Sequence, residues 1–310
     1  LNNNSPNLTI NGNWTRTSGA FTANTGTVTL GGITNGIVTV TGGATMNTLV
    51  ISKSSDAIAK FDCNLSTATL TVNSGAFLEV NPTKQLTVSS SLSNSGTLTL
   101  KSDATGTASI LAPGSSDISG TFKVQQYLSS ARNWYISSPV AGATVPTGYN
   151  YFGYQEPGNN ASRAVSGETD YWKAYTATTS LEVGKGYIAQ PTGATTIEFS
   201  GTTLNNADKS ITLSRTVGKT KEGFNLVGNP YPAYINIDNL QSNSDILQTY
   251  WIRSKNGSYV FDTYNIPSTI STGLSGLKVS KYIPPMQAPS VDFLPARHRY
   301  PPSRSDSPPP

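Results

Sequence analysis

GFNLVGNPYP, residues 223–232, is the stretch that decides the second half of the fold. Phe224 and Leu226 share one face of an extended chain, because side chains alternate with a period of two along a strand. Pro230 and Pro232 each fix their own backbone angle and push the preceding residue towards extended geometry. The stretch therefore predicts a short apolar strand followed by a rigid turn, with Phe224 and Leu226 in the core.

Aromatic residues become frequent around this stretch, from residue 120 to residue 288. Alternating runs such as Asn133–Val140, Tyr171–Thr176 and Gly186–Gln190 are bounded by turn residues and indicate strands. The one helical turn indicated lies between Asn236 and Gln248 and starts at Asp238. Many strands without crossover helices predict an antiparallel β-sandwich over residues 120–288.

Residues 1–119 repeat a different theme, short alternating runs rich in Thr and Val separated by Gly, Asn and Ser. Leu70, Leu78 and Leu86 lie 8 residues apart. Three such strands would make a coil of about 24 residues, which is the scale of a β-solenoid turn. An ordinary antiparallel sandwich also fits short strands at regular spacing. The predicted fold class is all-β, with an N-terminal β-solenoid or β-helix-like repeat followed by an antiparallel β-sandwich.

Charge and cysteine content exclude several classes of partner. Charged residues make up 12% of the 310-residue chain and the formal net charge is +4, most of it beyond residue 277. Without a basic stripe, nucleic acid is not an expected partner. Cys63 is the single cysteine and alternates with Phe61 and Leu65, so it is predicted to be a small buried side chain. No run of about 18 apolar residues is present, so no membrane-spanning helix is predicted.

The last segment, residues 289–310, is rich in Pro, Arg and Ser and ends in three prolines. It lacks an apolar period, so it is predicted to be an extended or disordered tail. The strand that would otherwise follow Ala288 is then missing, which leaves an unpaired sheet edge.

Five blocks between residues 120 and 288 resemble recurrent blocks of large secreted, adhesin-like surface proteins of Bacteroidota. They occur in the same order, as Asn133–Val140, Tyr171–Tyr175, Leu181–Tyr187, Gly223–Pro232 and Tyr282–Ala288. The resemblance implies export by the type IX secretion system, an extracellular or cell-surface location and a non-enzymatic role. It supplies no catalytic residues. The residues of these blocks expected to carry structure are Trp134, Tyr135, Pro139, Trp172, Gly186, Phe224, Leu226, Asn229, Pro230, Tyr231 and Pro232.

Candidate chemistry rests on two groups of carboxylates. In a coil of about 24 residues, Asp56, Glu79 and Asp103 would stack and could hold a cation such as calcium, or serve as acid and base in glycan cleavage. Glu156, Glu168 and Asp170 lie among aromatic residues, whose rings can stack on the apolar face of a sugar. The competing interpretation is that these acids are solvated outer positions. No calcium motif accompanies them, and no cofactor is expected.

The sequence offers no nucleophilic constellation. His298 is the single histidine and lies in the predicted tail, so a Ser-His-Asp or His-based zinc site in the folded part is excluded. The repeated T-x-T pattern suggests a flat threonine face that could order water or ice, provided that every coil repeats the pair.

Two functions remain open at this point. The first is a non-enzymatic extracellular structural or adhesive protein, assembling with copies of itself through solenoid ends or open sheet edges. The second is a carbohydrate-binding or polysaccharide-cleaving β-helix protein, with surface glycans as partners.

Overall fold

A computed structural model describes residues 7–19, 21, 25–114, 116–154, 172–176, 178–215, 223–240, 245–256, 258–273 and 279–293. Within these ranges the chain is all-β, with a β-solenoid of about five turns followed by antiparallel sheets, which confirms the predicted fold class. The one helix of the described part is the 3-10 turn Ile237–Leu240, where the helical turn was predicted. It is too short to cross a membrane.

The solenoid is built from two parallel sheets that the chain visits in turn. Solenoid sheet one contains β1 (Asn7–Ile10), β3 (Thr27–Gly32), β5 (Ala44–Lys53), β7 (Leu65–Val72), β9 (Gln85–Asn94) and β13 (Ser109–Leu111). Solenoid sheet two contains β2 (Trp14–Arg16), β4 (Gly36–Val40), β6 (Ile58–Phe61), β8 (Phe77–Val80), β10 (Thr97–Leu100) and β14 (Ile118–Leu128). A hairpin of β11 (Ser102–Asp103) and β12 (Gly106–Thr107) lies between the last coils.

The expected three strands per coil are wrong, because each coil has two. Leu70 pairs with Leu49 and Leu92 in sheet one, whereas Leu78 pairs with Ala59 and Leu98 in sheet two. The leucines spaced by eight therefore alternate between sheets instead of starting three strands of one coil. The coils are also unequal in length, since Phe61 pairs with Val80, 19 residues on, and Trp14 with Val38, 24 residues on.

The inward positions of both sheets form the solenoid core. Leu49, Leu70, Leu78 and Leu98 are completely buried, as the alternation predicts. Cys63 is also buried, which confirms its predicted role, and this burial raises the pKa of its thiol.

Polar side chains join successive coils at their corners. The Oδ1 atoms of Asn13, Asn35 and Asn64 each accept the backbone N–H of a residue in the next coil, at 2.9–3.0 Å. The buried Lys53 ammonium donates to the carbonyls of Asn11 and Thr34, both at 2.9 Å, and so connects three coils. These bonds satisfy backbone groups that the parallel ladders leave unpaired at the turns.

The strand β14 joins the solenoid to the antiparallel part. Its residues 121–124 pair in parallel with β10, and its residues 118–128 pair antiparallel with β20 (Thr195–Leu204), which in turn pairs with β16 (Val140–Ala141). One hydrophobic core consequently continues from Phe21 in the solenoid to Met286. The predicted division after residue 119 falls inside β14, and the domain boundaries remain a prediction.

Two larger antiparallel sheets and one short strand pair follow in the described chain. The four-stranded sheet has the order β15 (Trp134–Ile136), β19 (Tyr187–Gln190), β17 (Asn150–Tyr154), β18 (Trp172–Tyr175). The five-stranded sheet has the order β21 (Phe224–Leu226), β27 (Ser290–Phe293), β23 (Ile246–Asn256), β24 (Ser258–Asn265), β25 (Ile270–Thr272). A short pair is formed by β22 (Ile235–Asn236) and β26 (Tyr282–Ile283).

The strand β27 corrects the expectation that no strand follows Ala288. Residues 290–293 pair with β21 on one side and with β23 on the other, so this position in the five-stranded sheet is filled. Four residues are enough because both neighbours supply backbone partners, and Val291 and Phe293 alternate with Ser290 and Asp292 as a strand requires. Residues 294–310 of the predicted tail lie outside the described ranges.

Candidate functional site

The candidate carboxylates of the solenoid do not stack. Glu79 pairs in register with Lys60 and Thr99. Asp56 and Asp103, the predicted neighbours of Glu79, are therefore not next to it in the ladder. Its carboxylate lies 3.9 Å from the Lys60 ammonium and 3.8 Å from that of Lys101. Glu79 is thus one member of an ion-pair row on the outer face of solenoid sheet two.

Asp56 lies in a turn, whereas Asp103 is the last residue of β11. Asp56 is exposed in the turn between β5 and β6 and has a φ of 60°. Asp103 accepts hydrogen bonds from the Thr105 hydroxyl at 2.6 Å and the Thr105 N–H at 2.8 Å, and these bonds lower the pKa of its carboxyl group. The described residues contain no group of three or more metal-ligating side chains. The second group, Glu156, Glu168 and Asp170, lies outside the described residues.

The outer face of solenoid sheet one brings the T-x-T pairs into two rows. One row contains Thr27, Thr48, Thr69 and Ser91, and the other contains Thr29, Val50, Thr71 and Ser93. Because Val50 and the two serines interrupt the rows, the strict repeat required for an ice-ordering face is not formed here.

Four of the five sequence blocks meet around the turn at Asn229. Asn229 is completely buried, and its Nδ2 lies 2.8–3.1 Å from the carbonyl oxygens of Ala233, Ile283 and Pro284. Its Oδ1 accepts the N–H of Tyr231 at 2.9 Å. The turn predicted from the prolines is therefore held mainly by this amide, which binds it to the block that ends at Ala288.

The same turn is hydrogen-bonded to two further blocks. The Ser137 hydroxyl donates to the Asn229 carbonyl at 3.0 Å, and Gly228 N–H donates to the Gly184 carbonyl at 2.8 Å. On the solenoid side, Ile110 N–H donates to the carbonyl of Pro232 at 3.0 Å. Two further contacts involve the prolines, since the Asn205 amide donates to the Pro230 carbonyl at 3.0 Å and Asn205 N–H donates to the Pro139 carbonyl at 3.2 Å. These contacts indicate a structural joint.

An open cleft between the four-stranded and five-stranded sheets is the candidate binding site. It has a volume of about 420 Å³ and is lined by Tyr135, Tyr154, Trp172, Phe224, Asn225, Leu226, Trp251, Phe261 and Ser290. We call it the aromatic cleft. Cavities of about 300–1,000 Å³ lined mainly by aromatic side chains are typical of small-ligand sites.

Strand alternation explains why these rings face each other. In the four-stranded sheet, the side chains of Ile136, Tyr151 and Tyr187 are buried in the continuous core. Tyr135 directly precedes Ile136 in β15, so its side chain lies on the opposite face of the sheet. In the five-stranded sheet, Tyr250 and Tyr264 belong to a second, smaller core, which turns Trp251 to the other side. Each sheet therefore buries one face and presents aromatic rings of the other face to the cleft.

The rings form clusters within and across the two walls. In the wall formed by the four-stranded sheet, the ring centre of Trp172 lies 5.0 Å from that of Tyr154 and 6.0 Å from that of Tyr135. Phe224 lies 5.2 Å from Trp251 in the second wall. Tyr135 and Phe261 bridge the walls at 6.1 Å. These separations are within the range in which aromatic pairs attract each other.

Arg253 adds a charge at the cleft. It follows Trp251 by two residues and is the register partner of Phe261, so it belongs to the cleft face of the sheet. Its guanidinium carbon lies 5.5 Å from the centre of the Tyr135 ring, and the guanidinium donates a hydrogen bond to the Tyr135 hydroxyl. Burial raises the pKa of Tyr135, and the positive charge of Arg253 opposes part of that shift.

Three of the six rings that line the cleft belong to the blocks recognised in the sequence. Tyr135, Trp172 and Phe224 were named for structure, whereas Tyr154, Trp251 and Phe261 were not named as site residues. A usable signal was present in Thr249–Arg253, where Trp251 and Arg253 alternate with apolar residues of the second core. Without the pairing of the sheets, nothing indicated that this strand faces Tyr135.

A family comparison covers both halves of the molecule. A family model described as a domain of unknown function (DUF8693) matches residues 34–270, which is most of the chain. The chain belongs to this family. The match runs from the second coil of the solenoid to the start of β25, so it includes the joint at β14. No curated protein and no solved structure matches the chain.

Proposed function

We propose that the protein is a non-enzymatic extracellular structural and adhesive protein. The observation that carries this proposal is the continuous core from Phe21 to Met286, which makes the solenoid a rigid support for the antiparallel sheets. A solenoid is suited to this role because each coil contacts its neighbours and extends the molecule in one direction. The resemblance of residues 120–288 to secreted adhesin-like proteins of Bacteroidota supports the cell-surface location and the type IX route.

Self-assembly is part of the proposal. The first coil ends the described solenoid with β1 and β2, each of which has one neighbour in the described sheets, β3 and β4 respectively. Strand edges with unpaired backbone groups are natural surfaces for association between copies.

Adherence and assembly can be measured with the purified chain. Beads coated with the protein are expected to adhere to the surface of bacteria that use the type IX route, more than beads coated with albumin. Light scattering coupled to gel filtration is expected to reveal species larger than the 32.7 kDa monomer. A monodisperse monomer whose beads do not adhere would contradict the proposal.

A second candidate function, carbohydrate binding, is favoured by the aromatic cleft. Rings on two opposed walls can stack on the apolar faces of a sugar, and this arrangement supports binding by the protein. It is compatible with an adhesive role, in which the sugar is the surface that is recognised.

A further inference from the structure

The aromatic cleft leaves rings of two sheets next to open space. The cleft is open to solvent and leaves a space of about 420 Å³ between two largely apolar sheet faces. Aromatic faces left open to water do not contribute the hydrophobic stabilisation that their burial would give. An occupant that covers these faces would recover this free energy.

The chemistry of the walls indicates the kind of occupant. Trp172 and Tyr154 lie on one wall and Trp251 and Phe224 on the other, so a molecule in the cleft can contact aromatic rings on both sides. Phe261 is 47% exposed and lies 6.1 Å from Tyr135, which places it where a ligand would enter. Ring-shaped ligands match such opposed walls better than branched aliphatic ones.

Polar groups at the cleft further restrict the class of ligand that fits it. Arg253 lies on the cleft face next to Trp251 and Phe261, and Ser290 contributes a hydroxyl group from the strand between Leu226 and Trp251. The Asn225 amide is engaged by the backbone of Ser214, at 2.9–3.0 Å in both directions, so it serves the fold. A ligand with apolar faces and a polar rim would use both the rings and these edge groups.

We propose that the aromatic cleft binds a saccharide, with a sugar ring held between the two aromatic walls and its hydroxyl groups directed towards Arg253 and Ser290. The inference rests on carbohydrate binding as the second candidate function and assigns it to residues. A pyranose ring has C–H groups on its faces and hydroxyl groups around its edge, which matches apolar walls with a polar rim. The cleft volume of about 420 Å³ lies within the range of about 300–1,000 Å³ that is usual for small-ligand sites.

Titration with defined sugars tests the proposal on the whole chain. The probes are hexasaccharides of glucose, xylose, N-acetylglucosamine and galacturonic acid, with indole as an apolar ring that lacks the polar rim. Trp172 and Trp251 report binding by fluorescence, and calorimetry gives the affinity independently. At least one hexasaccharide is expected to bind the native chain with a change in tryptophan emission.

The variant Phe261→Ala tests the site. Its side chain is half exposed, so its removal should leave the fold intact, and loss of one stacking partner should weaken saccharide binding about tenfold. The matched control is Tyr234→Ala, an aromatic side chain that is 53% exposed and does not line the cleft. Far-ultraviolet circular dichroism confirms that both variants are folded. The control is expected to bind the sugar as the native chain does.

Three outcomes would overturn the inference. These are no binding of any hexasaccharide, equal affinity of Phe261→Ala and the native chain, or binding of indole alone. The bead assay separates this inference from the adhesive proposal. If the beads adhere although no hexasaccharide binds, the cleft assignment fails and the adhesive function stands.

Discussion

Asn229 is the residue on which the turn between the sequence blocks most depends. Its amide is completely buried, bonded to carbonyls of two chain segments and to the Tyr231 N–H. Substitution Asn229→Ala leaves these buried groups without partners, so we expect the free energy of unfolding to fall by about 2–4 kcal/mol. Equilibrium urea denaturation measures this change. Asn150→Ala, an exposed position, should change it by less than about 0.5 kcal/mol, and equal effects would contradict the assignment.

Gly228 is required because the chain approaches another segment closely. A Cβ atom placed there would lie 2.1 Å from both Cβ and Oγ of Ser137. Gly228→Ala should therefore destabilise the fold by roughly 1–3 kcal/mol and displace the hydroxyl that donates to Asn229. The matched substitution is Gly193→Ala, where a Cβ would meet no atom within 4 Å. Thermal denaturation of both variants checks the prediction, which fails if their midpoints coincide.

Tyr187 makes the stability of the four-stranded sheet sensitive to alkaline pH. Burial raises its pKa to about 12, and its hydroxyl accepts the Glu182 N–H at 2.7 Å. In the unfolded chain the group ionises near its ordinary value of 10.0, so between pH 10 and 12 the unfolded state binds fewer protons than the native state. Stability should then be intact below pH 10 and fall as the pH rises towards 12.

The variant Tyr187→Phe isolates that contribution. We expect its urea midpoint to fall less steeply between pH 10 and 12 than that of the native chain, because one ionising group has been removed. Tyr234→Phe, at an exposed tyrosine, serves as the control and should leave the native slope unchanged. If the urea midpoint of Tyr187→Phe falls as steeply with pH as that of the native chain, Tyr187 does not cause the loss of stability.

At the scale of the elements, Asp117 fastens the end of the solenoid to the segment that follows β20. Burial raises the pKa of its carboxyl group, but hydrogen bonds from Lys209, Asn206 and Ala207 outweigh this and lower the pKa below the ordinary value of 3.8. A depressed pKa contributes stability above pH 3.8, which is lost as the pH falls through the native value. We expect Asp117→Asn to lower stability at pH 7 by roughly 1 kcal/mol and to weaken the acid dependence below pH 3.8.

Measuring the unfolding midpoint as a function of acid pH tests this role of Asp117. The control is Asp56→Asn, an exposed acid at a turn with positive φ, where asparagine is well tolerated. If the unfolding midpoints of both variants depend on acid pH in the same way, the hydrogen bonds of Asp117 contribute nothing to stability.

The sequence predicted the strands well because each carries its own alternation. Thr69-Leu70-Thr71-Val72 and Phe77-Leu78-Glu79-Val80 read as half-buried strands without knowledge of their partners, and both are strands. The number of strands per coil was wrong because alternation and spacing are the same whether the next strand joins the same sheet or the opposite one. The stacking of Glu79 followed from that number and was wrong for the same reason.

At the scale of the whole molecule, the aromatic cleft could not be predicted from local patterns. Tyr135, Phe224 and Trp251 are far apart in the sequence and meet because two different sheets each bury their other face. The five blocks indicated a domain, and four of them meet around the turn at Asn229. The same residue types that identify the blocks also line the cleft, so core and binding roles were indistinguishable in the sequence.

The continuous core predicts that the solenoid and the first antiparallel strands unfold together. Leu98 is completely buried in β10, between Leu78 of β8 and Phe122 of β14. Leu98→Ala should lower the free energy of unfolding by about 2–5 kcal/mol.

Because β14 pairs with both β10 and β20, we expect hydrogen exchange to accelerate in β20 as much as in the solenoid strands. The five-stranded sheet has its own core of Ile237, Tyr250, Tyr264, Ile266, Ile283 and Val291 and should be affected less. Hydrogen-exchange mass spectrometry in low denaturant makes the comparison, and faster exchange confined to residues 7–111 would show that the joint does not transmit stability.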